Sequence, residues 1–311
     1  MPYLYSHHYT GEQMLERSPQ SVLRAAKANA EAFALGCQGP DPFFYAYLPG
    51  AKNKFLHRIA NRLHTENVDA FMAAMLRSSK QDPLRLSYFL GYLSHYALDA
   101  AAHPYVNHLS CRPDHTRFEA HLDSALLSYL GVKLREHPPD GLLQASEQTV
   151  LAIDELLTLC AAESHGLDLA GDFVIAHKHM LRVQRIGFDP SRIKRPLFLL
   201  AETFLKKPAY ITGKLLETRV TDGIDYLNLK KRPWSLPWDP GAVHTDSFLE
   251  IVERAAVDAA EMALAVVQSG PGDEAEALKI IGARSFDTGL DWRTPAPSVN
   301  VRCVYKSHKS D

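Results

Sequence analysis

No apolar run in this 311-residue sequence reaches the about 18 residues that an ordinary membrane-spanning helix needs. The opening MPYLYSHHYTGEQ has no basic cluster followed by an apolar core, so no secretory signal is read there and a cytoplasmic location is expected. Cysteine is scarce: Cys37, Cys111, Cys160 and Cys303 lie far apart and form no CxxC pair, which excludes a zinc knuckle and a disulfide scaffold. Neither sign of charge dominates, since 34 Lys and Arg against 36 Asp and Glu leave a formal net charge of −2. That balance argues against a whole surface given over to nucleic acid or to an acidic membrane, leaving room for local patches, and no stable nucleic-acid partner is expected. Internal repeats and low-complexity segments are missing too, and the alternation that marks strands is confined to SVNVRCVY near the end.

What is present is helical. With 46% hydrophobic residues the chain can bury a sizeable core. Apolar spacing predicts a helix over 11–35, after a polar lead with His7 and His8, and one or two helices over 55–79. Asp82 as N-cap and Pro83 at the first helical position open a central helix to about Asn107, with Pro104 marking its end. Further helices are expected from Pro113 to Leu130, over 146–162, from the capping box of Ser247 and Glu250 to Ser269, and near 273–281. The expected fold class is therefore all-α, a multi-helix bundle. Its expected layout is one domain over 1–285, with a basic helical insertion or lid around 172–240 and a polar tail over 286–311. RPWSLPWDPG reads as an irregular loop.

The chain is organised around FLGYLSHYALDAAAHPYVN, residues 89–107. His95, Asp99 and His103 stand there at i, i+4 and i+8 inside an apolar run, so a helix stacks them along one stripe. Two buried imidazoles and a carboxylate need partners, and a metal ion satisfies all three together. His115 and Glu119 repeat the i, i+4 spacing at once. A single histidine on an apolar face is more often a hydrogen-bonded core residue than a ligand. Five such residues on two successive helices are harder to explain that way, and seven of the 15 histidines fall between His57 and His121. His57 and His64 share nearly one helical face, so one of them is expected to point inward. Asp41 sits between Pro40 and Pro42, whose geometry can aim a carboxylate inward from a rigid loop; the plainer reading is a turn-former. Residues 178–232 carry 13 Lys or Arg against five Asp or Glu, either a solvated insertion or a lid that draws an anionic substrate or lipid surface toward the site.

FLGYLSHYALDAAAHP followed by HTRFEAHLD, with GPDPFF and the N-terminal YSHH upstream, resembles the zinc-dependent phospholipase C family, an all-helical fold shared with single-strand nucleases of fungi and plants. The resemblance implies that His95 and Asp99 bind metal with Asp99 bridging two ions, and that His103, His115 and Glu119 complete a second ion's shell. It also implies that Asp41 and His64 are ligands from the preceding loop and helix, and that His7 helps to hold a third ion. Two alternatives stay open: His57 for His64, and His108 for His103, which precedes Pro104 here. The cofactor implied is Zn2+, two or three ions, with Fe or Mn as substitutes. The activity implied is cleavage of a phosphodiester, with Asp41 as catalytic base and a phospholipid at a membrane surface as a candidate substrate. Alternatives are a single-strand nuclease or nucleotidase, for which Trp234, Trp238 and Tyr210 would supply stacking surfaces, and a non-catalytic metal-binding protein. The lack of an ExxH motif and of an adjacent His-Asp pair disfavours ferritin-like di-iron proteins and HD-type phosphohydrolases.

Overall fold

The computed structural model describes residues 4–45, 51–80, 82–110, 114–205, 212, 215, 216, 218, 220–270 and 272–295, with 51–54 described as backbone only. The expected segment SVNVRCVY lies outside these residues, as does the Pro113 expected to open a helix. The fold is mostly α. Thirteen α-helices and one small two-stranded sheet are formed among the described residues, and none of those helices is long and apolar enough to cross a membrane.

The axis is α6 (Pro83–Leu109), 27 residues long and buried over most of its length. Asp82 caps it, its Oδ1 accepting the N–H groups of Leu84 at 2.9 Å and Arg85 at 3.1 Å, while Pro83 occupies a position whose N–H has no helical partner. Pro104 does not end the helix, contrary to expectation; α6 runs through it to Leu109. A proline mid-helix removes one donor, here the one that would bond the Ala100 carbonyl, and that carbonyl is packed instead against Gly289, where any Cβ would collide with it. Gly289 has φ +70, a second reason for glycine at that position.

The predicted helix over 11–35 is three helices: α1 (Leu4–Glu16), α2 (Gln20–Lys27) and α3 (Ala30–Gly36). Pro19 interrupts the first, and Asn29 starts the third by accepting the Ala32 N–H at 2.8 Å. His7 and His8 therefore lie inside α1 rather than in a lead before it. α3 packs tightly along α6 because Gly36 and Gly91 face each other's backbones. A Cβ on Gly36 would strike the Tyr88 carbonyl, and one on Gly91 the Phe33 carbonyl. A 3-10 helix, Asp41–Tyr45, follows.

α4 (Ala51–Thr65) and α5 (Val68–Ser79) are separated at Asn67, whose φ is 47. α7 (His115–Tyr129) lies against α1 and α6, and the short α8 (Asp140–Leu143) against α3. α9 (Glu147–His165) packs on α5 and ends at Gly166 in the left-handed region, φ 64. α10 (Asp172–Gly187) backs the 3-10 helix, and α11 (Arg195–Leu205) follows it. RPWSLPWDPG is not irregular: it contributes β1 (Trp234–Leu236) and most of the turn into β2 (Asp239–His244), an antiparallel hairpin. α12 (Phe248–Gln268) opens with both halves of the Ser247–Glu250 capping box and packs along α6, and α13 (Ala275–Ile281) closes the series.

Candidate metal centre

Eight side chains singled out by spacing, by the proline-flanked loop or by the family resemblance come together inside this bundle. Ligand atoms of Asp41, His64, His95 and Asp99 lie within 4.8 Å of one another, and so do those of His103, His115 and Glu119. Asp99 stands between the groups. Its Oδ2 is 3.2 Å from His95 Nε2 and 3.6 Å from His64 Nε2; its Oδ1 is 3.4 Å from His7 Nε2 and 3.8 Å from His103 Nδ1. Asp41 Oδ1 is 3.2 Å from His64 Nε2 and 3.8 Å from His95 Nε2, with Oδ2 at 4.0 Å from His7 Nε2. His7 stacks on His95 with ring centroids 4.0 Å apart, and His103 on His115 at 5.9 Å. His64, on the inner face of α4, reaches Asp41; His57, seven residues earlier, is half-buried beside Phe44 instead. His103 reaches His115 and Glu119, while His108, also buried, joins neither group.

The tautomers are set by the hydrogen bonds on the outer side of each ring. His64 Nδ1 meets the Ala60 carbonyl at 2.6 Å, His95 Nδ1 the Cys37 carbonyl at 3.3 Å and His103 Nδ1 the Phe286 carbonyl at 2.7 Å. A carbonyl only accepts, so each Nδ1 carries a proton, and in the neutral ring each Nε2 is left with its lone pair. His115 follows by one further step. Ser110 donates its hydroxyl proton to the Val106 carbonyl at 2.7 Å, so its oxygen accepts from His115 Nδ1 at 3.2 Å, and His115 Nε2 lies 2.9 Å from Glu119 Oε1. Acceptors thus face acceptors: Nε2 of His64 against Asp41, Nε2 of His95 against Asp99, Nε2 of His115 against Glu119. Such an arrangement repels itself unless a cation, a metal ion or a proton on the imidazole, sits among the groups. His7 Nδ1 and Nε2, His95 Nε2 and both Asp99 oxygens are buried without a hydrogen bond among the described residues, a cost of kilocalories each if nothing answers them.

The charge states fit the same occupant. Burial would raise the Asp99 carboxyl, but the imidazoles of His95, His103 and His7 hold it well below the usual carboxylate value. Burial, reinforced by neighbouring imidazoles, lowers His7 and His115 well below 6.5, and burial lowers His103 as well, so these rings are neutral. His95 is raised, since Asp99 and Asp41 outweigh its burial. Neutral imidazole nitrogens and ionised carboxylates, with outer hydrogen bonds fixing the rings, are the donor set that zinc takes. The residues present therefore fit zinc.

Phe286 is the participant that spacing did not indicate. Residues 285–292 were assigned largely to a polar tail, yet Phe286 is fully buried, 5.1 Å from the His64 ring and 5.8 Å from the His95 ring. Its backbone N–H donates to the His64 carbonyl at 2.9 Å while its own carbonyl orients His103. The signal in the sequence is an aromatic side chain, one of two with Trp292, inside a polar segment. Trp234 is also not where a base-stacking cleft would need it: it is buried, T-shaped on Tyr105 and stacked on His244, with its indole N–H donated to the Asp246 carbonyl. Trp238 is half-buried, and Tyr210 lies outside the described residues.

A helical bundle that walls in neighbouring His and carboxylate groups defines a class of metal-dependent protein. The sequence profile of the zinc-dependent phospholipase C family matches residues 6–164, just over half of the chain, and the chain belongs to that family. The match spans the eight residues from His7 to Glu119; Phe286 lies outside it. No curated protein and no solved structure matches the chain.

Proposed function

We propose that the protein is a zinc-dependent hydrolase of phosphate esters that cleaves a phosphodiester in the manner of a phospholipase C. The observation that carries this reading is the set of imidazole nitrogens facing carboxylates in two adjoining groups that Asp99 links. Asp41, His64, His95 and Asp99 would hold one ion, and His103, His115, Glu119 and Asp99 a second, with His7 beside them available to a third. When bound, zinc supplies Lewis acidity toward the phosphoryl oxygens and a water acidic enough to attack near neutral pH.

The chain's own residues do the rest. Asp41 accepts the proton of the attacking water, its Oδ2 directed into the space between the 3-10 helix and α1 where His7 also points. His64 and His95, fixed by the Ala60 and Cys37 carbonyls, present their Nε2 atoms to Asp41 and Asp99. Of the eight side chains that of His115 is the most exposed, at 27%, so the phosphate ester would enter from the His115 side. Support for a phosphoester comes from the family and from the donor set; the lipid head group is set by experiment.

The test is metal analysis of the purified protein, followed by hydrolysis of an aryl phosphodiester, phosphatidylcholine and single-stranded DNA, each with and without chelator. Bound zinc and chelator-sensitive cleavage of the phosphodiester and the lipid are expected. A protein that binds no zinc, manganese or iron and hydrolyses none of these after metal addition overturns the reading; cleavage of DNA alone transfers it to the nuclease branch.

A further inference from the structure

α11 is built inside out. Its sequence is RPLFLLAETFL, and its one acid, Glu202, is buried, the carboxylate accepting the Thr212 N–H at 2.7 Å and the Thr212 hydroxyl at 2.8 Å. Its large apolar side chains face water instead: Leu197 is 66% exposed, Leu200 56% and Phe204 80%, with Ile193 just before the helix at 78%. Positions 197, 200 and 204 step by three and four along the helix, so they form one stripe, with Ile193 exposed in the turn before it. A contiguous apolar stripe of this size marks a surface that is covered in use.

The charges around it say by what. Between residues 178 and 205 there are six cations and two acids. Both acids are turned inward onto backbone: Glu202 as above, and Asp189 accepting the N–H groups of Ile193, Lys194 and Arg195, each at 3.0 Å. The cations stay at the surface, with Lys178, Arg182, Arg185 and Arg192 exposed. Lys194 bends back to the end of α10, its Nζ 2.8 Å from the carbonyls of Arg185 and Phe188, which fixes the start of α11 beside the exposed Ile186. Arg185 also pairs with Asp140 at 2.6 Å, while Arg192 and Arg195 sit at the start of the helix, so an apolar stripe that begins among cations complements a surface both apolar and anionic. Eleven residues span only about 16 Å as a helix, roughly half a bilayer core, so such a helix lies in the plane of the interface.

We propose that α11 with the turn before it is an in-plane membrane anchor. It places Ile193, Leu197, Leu200 and Phe204 at the boundary of acyl chains and headgroups in a bilayer containing anionic phospholipid, with the surrounding lysines and arginines among the headgroups. The anchor is one element from the metal centre: α10 leads into it, and α10 holds the 3-10 helix of Asp41 through Phe173 against Phe43 and the Gln184 amide donating to the Tyr45 hydroxyl at 3.0 Å. This inference goes beyond the phosphoesterase reading and does not require catalysis.

The experiment is co-sedimentation of the full chain with phosphatidylcholine vesicles with and without phosphatidylserine, at low and high salt. It compares the wild type with the triple variant Leu197→Ser, Leu200→Ser, Phe204→Ser. Binding to the phosphatidylserine vesicles that salt weakens is expected, with roughly a hundredfold loss of partitioning in the triple variant. Helical circular dichroism and hydrolysis of a soluble aryl phosphodiester should stay unchanged in that variant. In a separate Phe204→Trp variant, fluorescence should shift to the blue when vesicles are added. Wild type that stays in the supernatant, or a triple variant that partitions as well as wild type, overturns the proposal. So does a wild-type dimer that the triple variant converts to monomer with no change in vesicle binding, which assigns the stripe to a second copy of the chain. Vesicle binding without phosphodiester hydrolysis keeps the anchor and removes the enzyme; hydrolysis without binding does the reverse.

Discussion

Asp99 divides its two oxygens between different imidazoles, Oδ2 toward His64 and His95 and Oδ1 toward His7 and His103, with no exposure to water. An amide keeps the shape but offers one acceptor and no charge. Asp99→Asn is therefore expected to lose metal and to lower phosphodiester turnover by about a hundredfold or more, as read by metal content and turnover on the same preparation. Unchanged metal stoichiometry would remove Asp99 from the centre. Asp123 works at a distance. Buried on α7, it accepts the N–H groups of Tyr5 at 2.7 Å and Ser6 at 2.9 Å and the Ser6 hydroxyl, and so moors the end of α1 from which His7 projects. Asp123→Ala leaves two buried N–H groups without that acceptor and should destabilise the protein by about 2–4 kcal/mol in thermal unfolding. Asp123→Asn, which keeps an acceptor oxygen, should cost less; equal melting temperatures for all three proteins would show that α1 is held by packing alone.

Among the elements, the approach of α3 to α6 matters most, because the carbonyl of Cys37, at the end of α3, orients His95. Gly36 touches the Tyr88 carbonyl with no room for a methyl group. Gly36→Ala must push two helices apart, at an expected cost of about 1–3 kcal/mol in denaturant unfolding, together with weaker zinc retention as the Cys37 carbonyl moves away from the His95 ring. Full stability with undiminished zinc would mean that the helices can separate without disturbing the centre. The order of α6 itself was plain in the sequence through Asp82, Pro83 and the apolar run. Its passage through Pro104 was not, because the freed Ala100 carbonyl packs against Gly289, 189 residues further along the chain.

For the whole molecule, the buried imidazoles make stability depend on pH in a known direction. His7, His103 and His115 are held below their ordinary 6.5, so below that pH the unfolded chain binds protons that the folded one refuses. Folding of the metal-free protein should weaken as pH falls from neutrality toward 5, read as a falling midpoint in denaturant. His95, raised above 6.5, acts oppositely, its contribution present below 6.5 and lost as pH rises through its folded value, one ring against three. Asp99 contributes above its ordinary 3.8, and that contribution is lost only as pH falls toward its depressed folded value. Zinc should raise the midpoint at neutral pH by mass action and lose hold as the imidazoles protonate. A midpoint that is flat from pH 7 to 5 without metal would mean that the rings are not buried as neutral bases.

The sequence by itself determined the helices, their caps and the residues able to bind metal, because periodicity, N-caps such as Asp82 and Ser247, and i, i+4 pairs such as His115 and Glu119 act within one or two turns. The tertiary structure decided which of those residues meet. It chose His64 over His57 and His103 over His108, brought Phe286 in from a segment that reads as polar, buried Trp234, and turned the leucines of α11 outward. Each of these depends on a partner far along the chain, and only packing the helices against one another brings such partners within reach.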